Sequence, residues 1–333
     1  MSQNTLTLLA AGALLCAMPV SADKIDRNFH ETFDVEPGAS LHLVHGDGDV
    51  RITPWDQDVI DVEVRYRADM GGVVLGGSRD LEVEFRQSGD VVHVIAKEEG
   101  FTVAIGYSRT HEYTYTIKAP AWVALDLEGD DGDVRLRDWT GDIQIQLDDG
   151  DLEMDDISAS ATKLRLQDGD VELNGISGDL EIHIDDGDVR VVDCDLSQAR
   201  VDTEDGDVDF VDCAGRFEVT SDDGDVDLSR VRAEEVSVRT QDGTVEAELE
   251  GAGSLRVEIQ TDDGDVILTL DPEISADFEI QTGDGGIHLD LDRAEDVVRG
   301  RRRSTGRIGS GEGSIRVSTQ DGSVRLRDGF GSG

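Results

Sequence analysis

Pairs of aspartates flank a glycine that recurs along the middle of the chain, and carboxylates at such a spacing could bind cations. The glycine stands at positions 132, 150, 169, 187, 206, 224, 243, 264 and 285, with spacings of 18, 19, 18, 19, 18, 19, 21 and 21 residues. Stacked repeats would bring oxygen ligands together in rows, and Ca²⁺ takes roughly 6–8 of them. The residues that would form this metal site are Asp131, Asp133, Asp149, Asp151, Asp168, Asp170, Asp186, Asp188, Asp205, Asp207, Asp223, Asp225, Asp263 and Asp265.

Turn formation is the simpler explanation of these aspartates, and the residues favour it over calcium binding. Asp-Gly suits left-handed turn positions and an Asp side chain accepts local backbone hydrogen bonds, which explains one Asp per turn. A third acidic column adds charge to the same rows and consists of Asp130, Asp148, Asp185, Glu204, Asp222 and Asp262. Like charges about 4.8 Å apart repel by about 0.9 kcal/mol in water and by roughly 3.5 kcal/mol at an effective dielectric constant of about 20. Salt, raised pKa values or divalent cations would relieve that repulsion.

Carboxylate pairs also serve as acid, base or nucleophile in glycoside hydrolases, including enzymes built on parallel β-helices. Such a site needs an asymmetric cleft, whereas here repetition makes the aspartates interchangeable. The seven histidines have no ligand spacing, and the sequence contains no Ser-His-Asp arrangement, phosphate-binding loop or Cys-pair metal motif. We therefore expect a protein that is not an enzyme, and a carbohydrate-active β-helix enzyme is the least favoured alternative.

Strands on both sides of the glycine must position these carboxylates. Apolar residues alternate with polar ones, as in Val134 and Leu136 after the turn and Leu125 and Leu127 before it. Similar residue types occupy the same column in nearly every repeat, which is typical of coils stacked about 4.8 Å apart and has no cause in an antiparallel meander. The sequence therefore predicts an all-β fold, a parallel β-solenoid of about nine or more coils of 18–21 residues.

Two cysteines support the stacking. Cys194 and Cys213 both stand seven residues after a turn glycine. One coil apart, their Cα atoms would lie within the disulfide range of about 4.4–6.8 Å. A disulfide and a pair of reduced, buried thiols are both consistent with this position.

Charge divides the chain into regions. The formal net charge is −45, of which residues 23–120 carry −9, residues 121–290 carry −39 and residues 291–333 carry +3. Such acidity repels nucleic-acid phosphates and anionic lipids, so neither is an expected partner. We predict an irregular β capping region at 23–120, the solenoid at 121–290, a basic loop and terminal coil at 291–327, and a disordered tail at 328–333. The loop Arg299–Arg303 could meet the acidic ridge of another copy and cause self-association.

The first 22 residues resemble a cleaved signal peptide. Leu6–Met18 is a nearly unbroken apolar run, and Val20 and Ala22 supply the small residues for cleavage before Asp23. The run is too short to span a bilayer comfortably, and no other apolar stretch is long enough. The sequence therefore predicts export to the periplasm, the cell surface or the medium, without a membrane span.

The order of motifs resembles a bacterial family, the domain of unknown function 4097, whose members are β-strand-repeat proteins and proposed adhesins. The resemblance rests on "FDVEPGASLHLVHGDGDVRITPWDQDVIDVEV", "IKAPAWVALDL", the repeats such as "DLEIHIDDGDVRV", and "GRIGSGEGSIRVSTQDGSVRL". It covers nearly the whole chain after residue 22. It implies an extracytoplasmic β-solenoid with an adhesin-like role, and it brings no catalytic residues. Family turns often have Ser, Thr or Asn where this chain has Asp.

Together these observations predict a non-catalytic, exported, adhesin-like or structural β-solenoid. The alternative is a surface module that Ca²⁺ binds and stabilises through the stacked aspartates. The expected partner is a protein or a cell-surface glycan, and no other cofactor is expected.

Overall fold

A computed structural model describes residues 23–70, 73–75, 80–99, 103–105, 110–251 and 254–329. The predicted signal peptide, residues 1–22, lies outside the described residues, as does most of the predicted tail. Over the described ranges, no helix is long and apolar enough to cross a membrane.

Strands make up nearly all of the described chain. Nine lie before residue 120: β1 Asp23–Asp34, β2 Ser40–Asp47, β3 Asp49–Pro54, β4 Val59–Met70, β5 Val73–Leu75, β6 Asp80–Ser88, β7 Val91–Glu99, β8 Val103–Ile105 and β9 Thr110–Ala119. The middle of the chain forms β10 Ala124–Asp131, β11 Val134–Trp139, β12 Ile143–Asp149, β13 Leu152–Asp168, β14 Val171–Asp186, β15 Val189–Val192, β16 Asp195–Asp205, β17 Val208–Val211, β18 Ala214–Asp223, β19 Val226–Asp242 and β20 Val245–Glu250. The last strands are β21 Arg256–Asp263, β22 Val266–Leu270, β23 Ala276–Thr282, β24 Ile287–Asp290, β25 Ala294–Arg299, β26 Arg303–Ile308, β27 Gly313–Asp321 and β28 Val324–Asp328.

Equivalent strands of successive repeats pair in parallel and in register. Leu125 of β10 lies opposite Ile143 of β12, and Val134 of β11 lies opposite Leu152 of β13. The same pairing continues through β14, β16, β18, β19 and β21 before the turn, and through β15, β17, β19, β20 and β22 after it. The apolar columns point inward and form one continuous buried core. The predicted all-β, solenoid-like fold is confirmed.

A second corner lies six residues after the turn glycine, where the sequence analysis had not placed one. The residues there have φ angles of 52–68°, in the left-handed region, and are Asp138, Asp156, Gly175, Asp193, Asp212 and Arg230. Asp adopts this region more readily than most residues with a side chain. The corner redirects the chain, so the next residue again points into the core, as Trp139 and Ile157 do.

Antiparallel strands close the N-terminal end. The coil formed by β2 and β3 is not the outermost one, because β2 pairs with β7 and β3 pairs with β9 on its outer side. Strand β6 pairs antiparallel with β7. Strand β4 pairs antiparallel with β9, and β1 pairs antiparallel with β4.

The C-terminal end has the same interleaved order, which corrects one expectation. The sequence places β27 and β28 in a last coil, but their coil is inserted between two others. β27 pairs with β21 on one side and with β23 on the other, and β28 pairs likewise with β22 and β24. The outermost coil therefore comes from β23 and β24, and the antiparallel strands β26 and β25 extend the sheet beyond β23.

Candidate functional site

The predicted carboxylates lie together along one edge of the solenoid, at the turn between the two long strands of each coil. We call this edge the carboxylate ridge and define it as the turn glycines with the two residues before and the one residue after each of them. The residues directly before the glycine are in register, as shown by Asp131 opposite Asp149 and Asp168 opposite Asp186. The structure therefore places the predicted rows of like charge side by side.

The turn glycines stack directly on one another and leave no space for a side chain. A Cβ atom on Gly206 would lie 2.1 Å from the carbonyl oxygen of Gly187, and one on Gly132 would lie 2.4 Å from that of Gly48. From Gly132 to Gly243 their φ angles are 126–145°. The stack runs in the order Gly48, Gly132, Gly150, Gly169, Gly187, Gly206, Gly224, Gly243, Gly264, Gly322 and Gly285. Close backbone contact, as well as turn conformation, therefore requires glycine here.

Each aspartate directly after a turn glycine accepts a hydrogen bond from the backbone of the next coil. The amide of Asp207 donates to Oδ1 of Asp188 at 2.9 Å, and the amide of Asp225 donates to Oδ1 of Asp207 at 2.8 Å. The same bond joins the pairs 133–49, 151–133, 170–151, 188–170, 244–225 and 323–265. These carboxylates satisfy amides that the strand pairing leaves unbonded, so this column has a structural reason that the sequence analysis had not identified.

The aspartates directly before the glycine are exposed, and in the middle of the ridge their charges interact. A hydrogen bond shared with Asp149 raises the pKa of Asp168, and the negative charges of Asp149 and Asp186 act in the same direction. A raised pKa means that the protonated form of Asp168 is favoured by its neighbours. One of the predicted responses to charge stacking is therefore present in the ridge.

Glutamines interrupt the third acidic column and donate to it. The side-chain amide of Gln167 donates to Asp148 at 2.9 Å, that of Gln241 to Asp222 at 2.6 Å, and that of Gln320 to Asp262 at 2.6 Å. A neutral donor between two acids removes one like-charge contact and adds a hydrogen bond. The position of Gln in the aligned repeats could have revealed this role.

No cation-binding cluster is found in the parts of the chain that the structure describes: no three His, Cys, Asp or Glu side chains are arranged to hold a metal ion. The predicted metal ligands thus lie in rows. In each aspartate directly after a turn glycine, one carboxylate oxygen accepts a hydrogen bond from a backbone amide of the next coil. Calcium binding by these residues stays a prediction.

Cys194 and Cys213 lie at equivalent positions of neighbouring coils, as expected, and both are free thiols in the buried core. Contact with Cys213 raises the pKa of Cys194 well above its usual range, whereas the hydrogen bond from Cys194 lowers the pKa of Cys213. The two sulfur atoms are therefore neighbours, as a disulfide would require. The oxidised alternative stays a prediction.

Two arginines of the predicted basic loop, Arg299–Arg303, form ion pairs with acidic residues of the C-terminal end. Arg302 pairs with Asp284 at 2.9 Å, and Arg303 pairs with Glu279 at 2.9 Å. Both acids lie on or next to β23, in the outermost C-terminal coil. These two arginines thus have partners within the chain, so self-association through them would have to compete with existing ion pairs.

Comparison with protein families finds a match to the family model described as Toastrack DUF4097, over residues 78–212 and 213–327. No curated protein matches the chain.

Solved structures similar to the chain include three proposed adhesion proteins from different bacteria. A proposed cell adhesion protein from Clostridium sporogenes is 10% identical, with 91% of this chain and 100% of that chain covered and a TM-score of 0.19. A proposed adhesin from Bacteroides fragilis is 10% identical, with 90% and 97% covered and a TM-score of 0.30. A proposed adhesin from Parabacteroides distasonis is 10% identical, with 90% and 97% covered and a TM-score of 0.34.

Proposed function

The chain belongs to the Toastrack DUF4097 family, and on that premise we propose that it is an exported, non-catalytic, adhesin-like protein that presents rigid side-chain arrays. The observation that carries the proposal is the parallel, in-register pairing of successive coils, because it repeats each outward side chain along the length of the molecule. Extended surfaces of this kind are what repeat proteins use for binding.

Ion pairs between neighbouring coils hold these outward arrays. Arg190 pairs with Asp209 at 2.8 Å, Arg200 with Glu218 at 2.5 Å, and Lys163 with Glu181 at 3.3 Å. Single exposed pairs contribute only about 0–1 kcal/mol each. Their repetition restrains long side chains that would otherwise lose conformational entropy on binding, which favours recognition by a preorganised surface.

The use of the ridge carboxylates supports a non-catalytic role. A glycosidase needs two carboxylates with different environments, one as acid and one as nucleophile or base. Along this ridge the aspartates after the glycine share one structural task, since each accepts an amide of the adjacent coil. In this column, equivalent environments do not separate the two roles that the chemistry requires.

We also infer that the repeating unit is a coil of 18–21 residues and that about nine or more coils form the solenoid. The stacked turn glycines and the register of the flanking strands support this unit. The interleaved ends support a capping role for residues 23–120, since antiparallel strands there continue the sheet past the last parallel coil.

Export is tested by expressing the full chain with a C-terminal epitope, fractionating the cells and determining the N-terminus of the product. We expect the protein outside the cytoplasm, beginning at Asp23. A full-length product that stays in the cytoplasm would overturn the export proposal.

Adhesion is tested by coating particles with the purified full chain and counting their attachment under flow to immobilised glycans, mucin and matrix proteins. Particles coated with an unrelated protein of similar acidity are the control. We expect attachment to at least one surface to be tenfold or more above this control. Equal attachment everywhere would overturn the adhesin proposal, and release of reducing ends from a polysaccharide would overturn the non-catalytic one.

A further inference from the structure

Basic side chains gather on one face of the solenoid near its N-terminal end, although the chain as a whole is strongly acidic. We call this surface the arginine patch and define it as the basic residues Arg51, Lys118, Arg135 and Arg137 together with the hydroxyl residue Thr53. Strand register brings them together: Arg51 lies opposite Arg135, and Thr53 lies opposite Lys118. Arg137 is two residues after Arg135 on the same strand, so their side chains leave the same face of the sheet.

Two arginines of the patch carry charges with no partner in the described parts of the chain. Arg135 donates to Glu153 at 3.0 Å and pairs with Asp133 at 3.2 Å. Arg51 and Arg137 are exposed, and neither forms an ion pair or side-chain hydrogen bond within the described ranges. Like charges on directly opposite residues of neighbouring strands destabilise a sheet, and Arg51 lies directly opposite Arg135. Arg137 lies opposite Asp155 without forming an ion pair with it. In a chain with 75 acids and 30 bases, three arginines grouped on one face, two of them without an ion pair in the described ranges, indicate a surface for an external anion.

Neighbouring acids of strand β4 are already engaged elsewhere. Asp61, opposite Lys118, bonds to His30 at 3.0 Å, and Glu63 accepts from Asn28 at 2.8 Å. Lys118 itself lies over the ring of Trp55, 6.0 Å from the ring centre. These contacts hold the rim of the patch without neutralising Arg51 or Arg137.

A shallow depression of about 230 Å³ lies between these side chains. Its lining combines the three arginines with oxygen acceptors from Thr53, Glu153 and Asp155. Guanidinium groups bind carboxylates in a bidentate manner, and the acceptors suit hydroxyl groups. A ligand with both groups on one unit is an acidic sugar.

We propose that the arginine patch binds carboxylate groups of an acidic polysaccharide, with Arg51 and Arg137 as the main contacts. The proposal rests on the adhesin-like function and specifies its ligand class. Three of the five patch residues belong to residues 23–120, which carry −9 against −39 for residues 121–290. The nearest ridge carboxylate, Asp133, is already paired with Arg135. At physiological ionic strength the Debye length is about 8 Å, so ridge charges farther than this from the patch are largely screened.

The test measures binding of the immobilised full chain to polygalacturonate, neutral dextran and polyglutamate in 0.15 M salt. The variant is Arg51→Ala/Arg137→Ala. The matched control is Arg165→Ala/Arg316→Ala, which removes two exposed arginines that also have no ion pair in the described ranges but lie outside the patch, on strands β13 and β27. Thermal unfolding of both variants checks that the fold is retained.

We expect polygalacturonate to bind and dextran not to bind, with affinity at least tenfold weaker in the patch variant and within about twofold of wild type in the control. An equal loss in both variants would overturn the proposal in favour of general charge attraction. Equal binding of polyglutamate would overturn it in favour of an acidic peptide, and absence of polygalacturonate binding would overturn it directly. If coated particles still attach in the flow assay when one of these contrary results is obtained, only the proposal for the arginine patch is overturned. The adhesin proposal is then retained.

Discussion

The middle of the solenoid and its two ends are held together in different ways. In the middle, each coil repeats the same backbone contacts, namely a glycine stacked on a glycine and an amide bonded to the aspartate of the next coil. At the ends, contacts occur once. Arg293 binds three backbone carbonyls and Asp328, and His45 fills the space above Gly129. Repeated contacts therefore stabilise the interior coils, whereas contacts of individual side chains stabilise each end.

Interleaving places the first and last strand-turn-strand segments inside the solenoid. At the N-terminal end, the outermost parallel strands are β7 and β9, which follow β2 and β3 in the chain. At the C-terminal end, the outermost coil comes from β23 and β24, which precede β27 and β28. Among the described strands, β1 pairs only with β4 and therefore forms the edge of the sheet at the N-terminal end. Open strand edges invite aggregation, and added antiparallel strands are one way to limit them.

The largest effect is expected from Gly206→Ala in the middle of the glycine stack. The new Cβ would meet the Gly187 carbonyl at 2.1 Å in a backbone conformation with φ of 133°. Steric overlap and backbone strain together should lower the free energy of unfolding by about 2–6 kcal/mol. Denaturant titration followed by circular dichroism measures it. Gly38→Ala is the control, because its φ is 100° but no atom lies within 4 Å of a Cβ there; an equal loss in both variants would contradict the stacking argument.

Arg293→Ala tests a contact of the C-terminal end. Its guanidinium donates to the carbonyls of Asp271, Pro272 and Ile274 and pairs with Asp328 at 2.7 Å. Loss of these charge-assisted bonds should cost about 2–4 kcal/mol. Hydrogen exchange should increase in β28 and the 271–274 turn, and not in β14. The exposed Arg325, also on β28, supplies the control Arg325→Ala; exchange that rises throughout the chain would show that the end is not a separate unit.

His45 makes the N-terminal end sensitive to acid. Burial lowers the pKa of His45, against the smaller opposing effects of the Gly46 carbonyl and the charge of Asp130. A histidine with a lowered pKa contributes stability above its ordinary pKa of about 6.5, and this contribution is lost as the pH falls through that value. Melting temperatures at pH 8 and pH 5 should therefore differ less in His45→Leu than in wild type. His183→Gln, at an exposed histidine of β14, is the control, and an unchanged difference in His45→Leu would refute the idea.

The aspartate ladder of the ridge should respond to acceptor loss more than to charge loss. Asp207→Ala leaves the amide of Asp225 without its acceptor and should cost about 0.5–1.5 kcal/mol. Asp207→Asn keeps an acceptor oxygen and removes one negative charge, so its cost should be smaller or absent. Urea titrations of the two variants at low salt compare them directly. A larger loss in Asp207→Asn than in Asp207→Ala would mean that the charge itself stabilises the ridge.

The smallest change in melting temperature is expected when CaCl₂ replaces NaCl at equal ionic strength. Asp168 has a raised pKa because of Asp149 and Asp186, so its charged form destabilises the folded state at neutral pH. This cost is removed by protonation as the pH falls from the folded pKa toward the ordinary one. Screening should relieve the same repulsion at neutral pH. Melting temperatures in CaCl₂ and in NaCl of equal ionic strength should therefore agree. A rise specific to Ca²⁺ and reversed by EDTA would instead support the calcium-binding alternative.

Most of the interior could be predicted from the sequence because repetition made each position visible many times. The turn glycines, the apolar columns and the matching positions of Cys194 and Cys213 all follow from the spacing. The second corner at Asp138 and its equivalents was missed, since an aspartate in a left-handed conformation looks like any exposed acid in the sequence. The glutamine donors were missed because only the acids of their column were examined as charges.

Features that occur once were decided by the tertiary structure. The sequence alone determined the strand alternation, the parallel stacking and the rows of carboxylates, because these depend on local period and on contact between equivalent residues. It did not determine that β27 and β28 insert inside the C-terminal coil, nor that Arg51, Arg137 and Lys118 share a face. Those contacts join residues far apart in the chain, and only the order in which the coils stack brings them together.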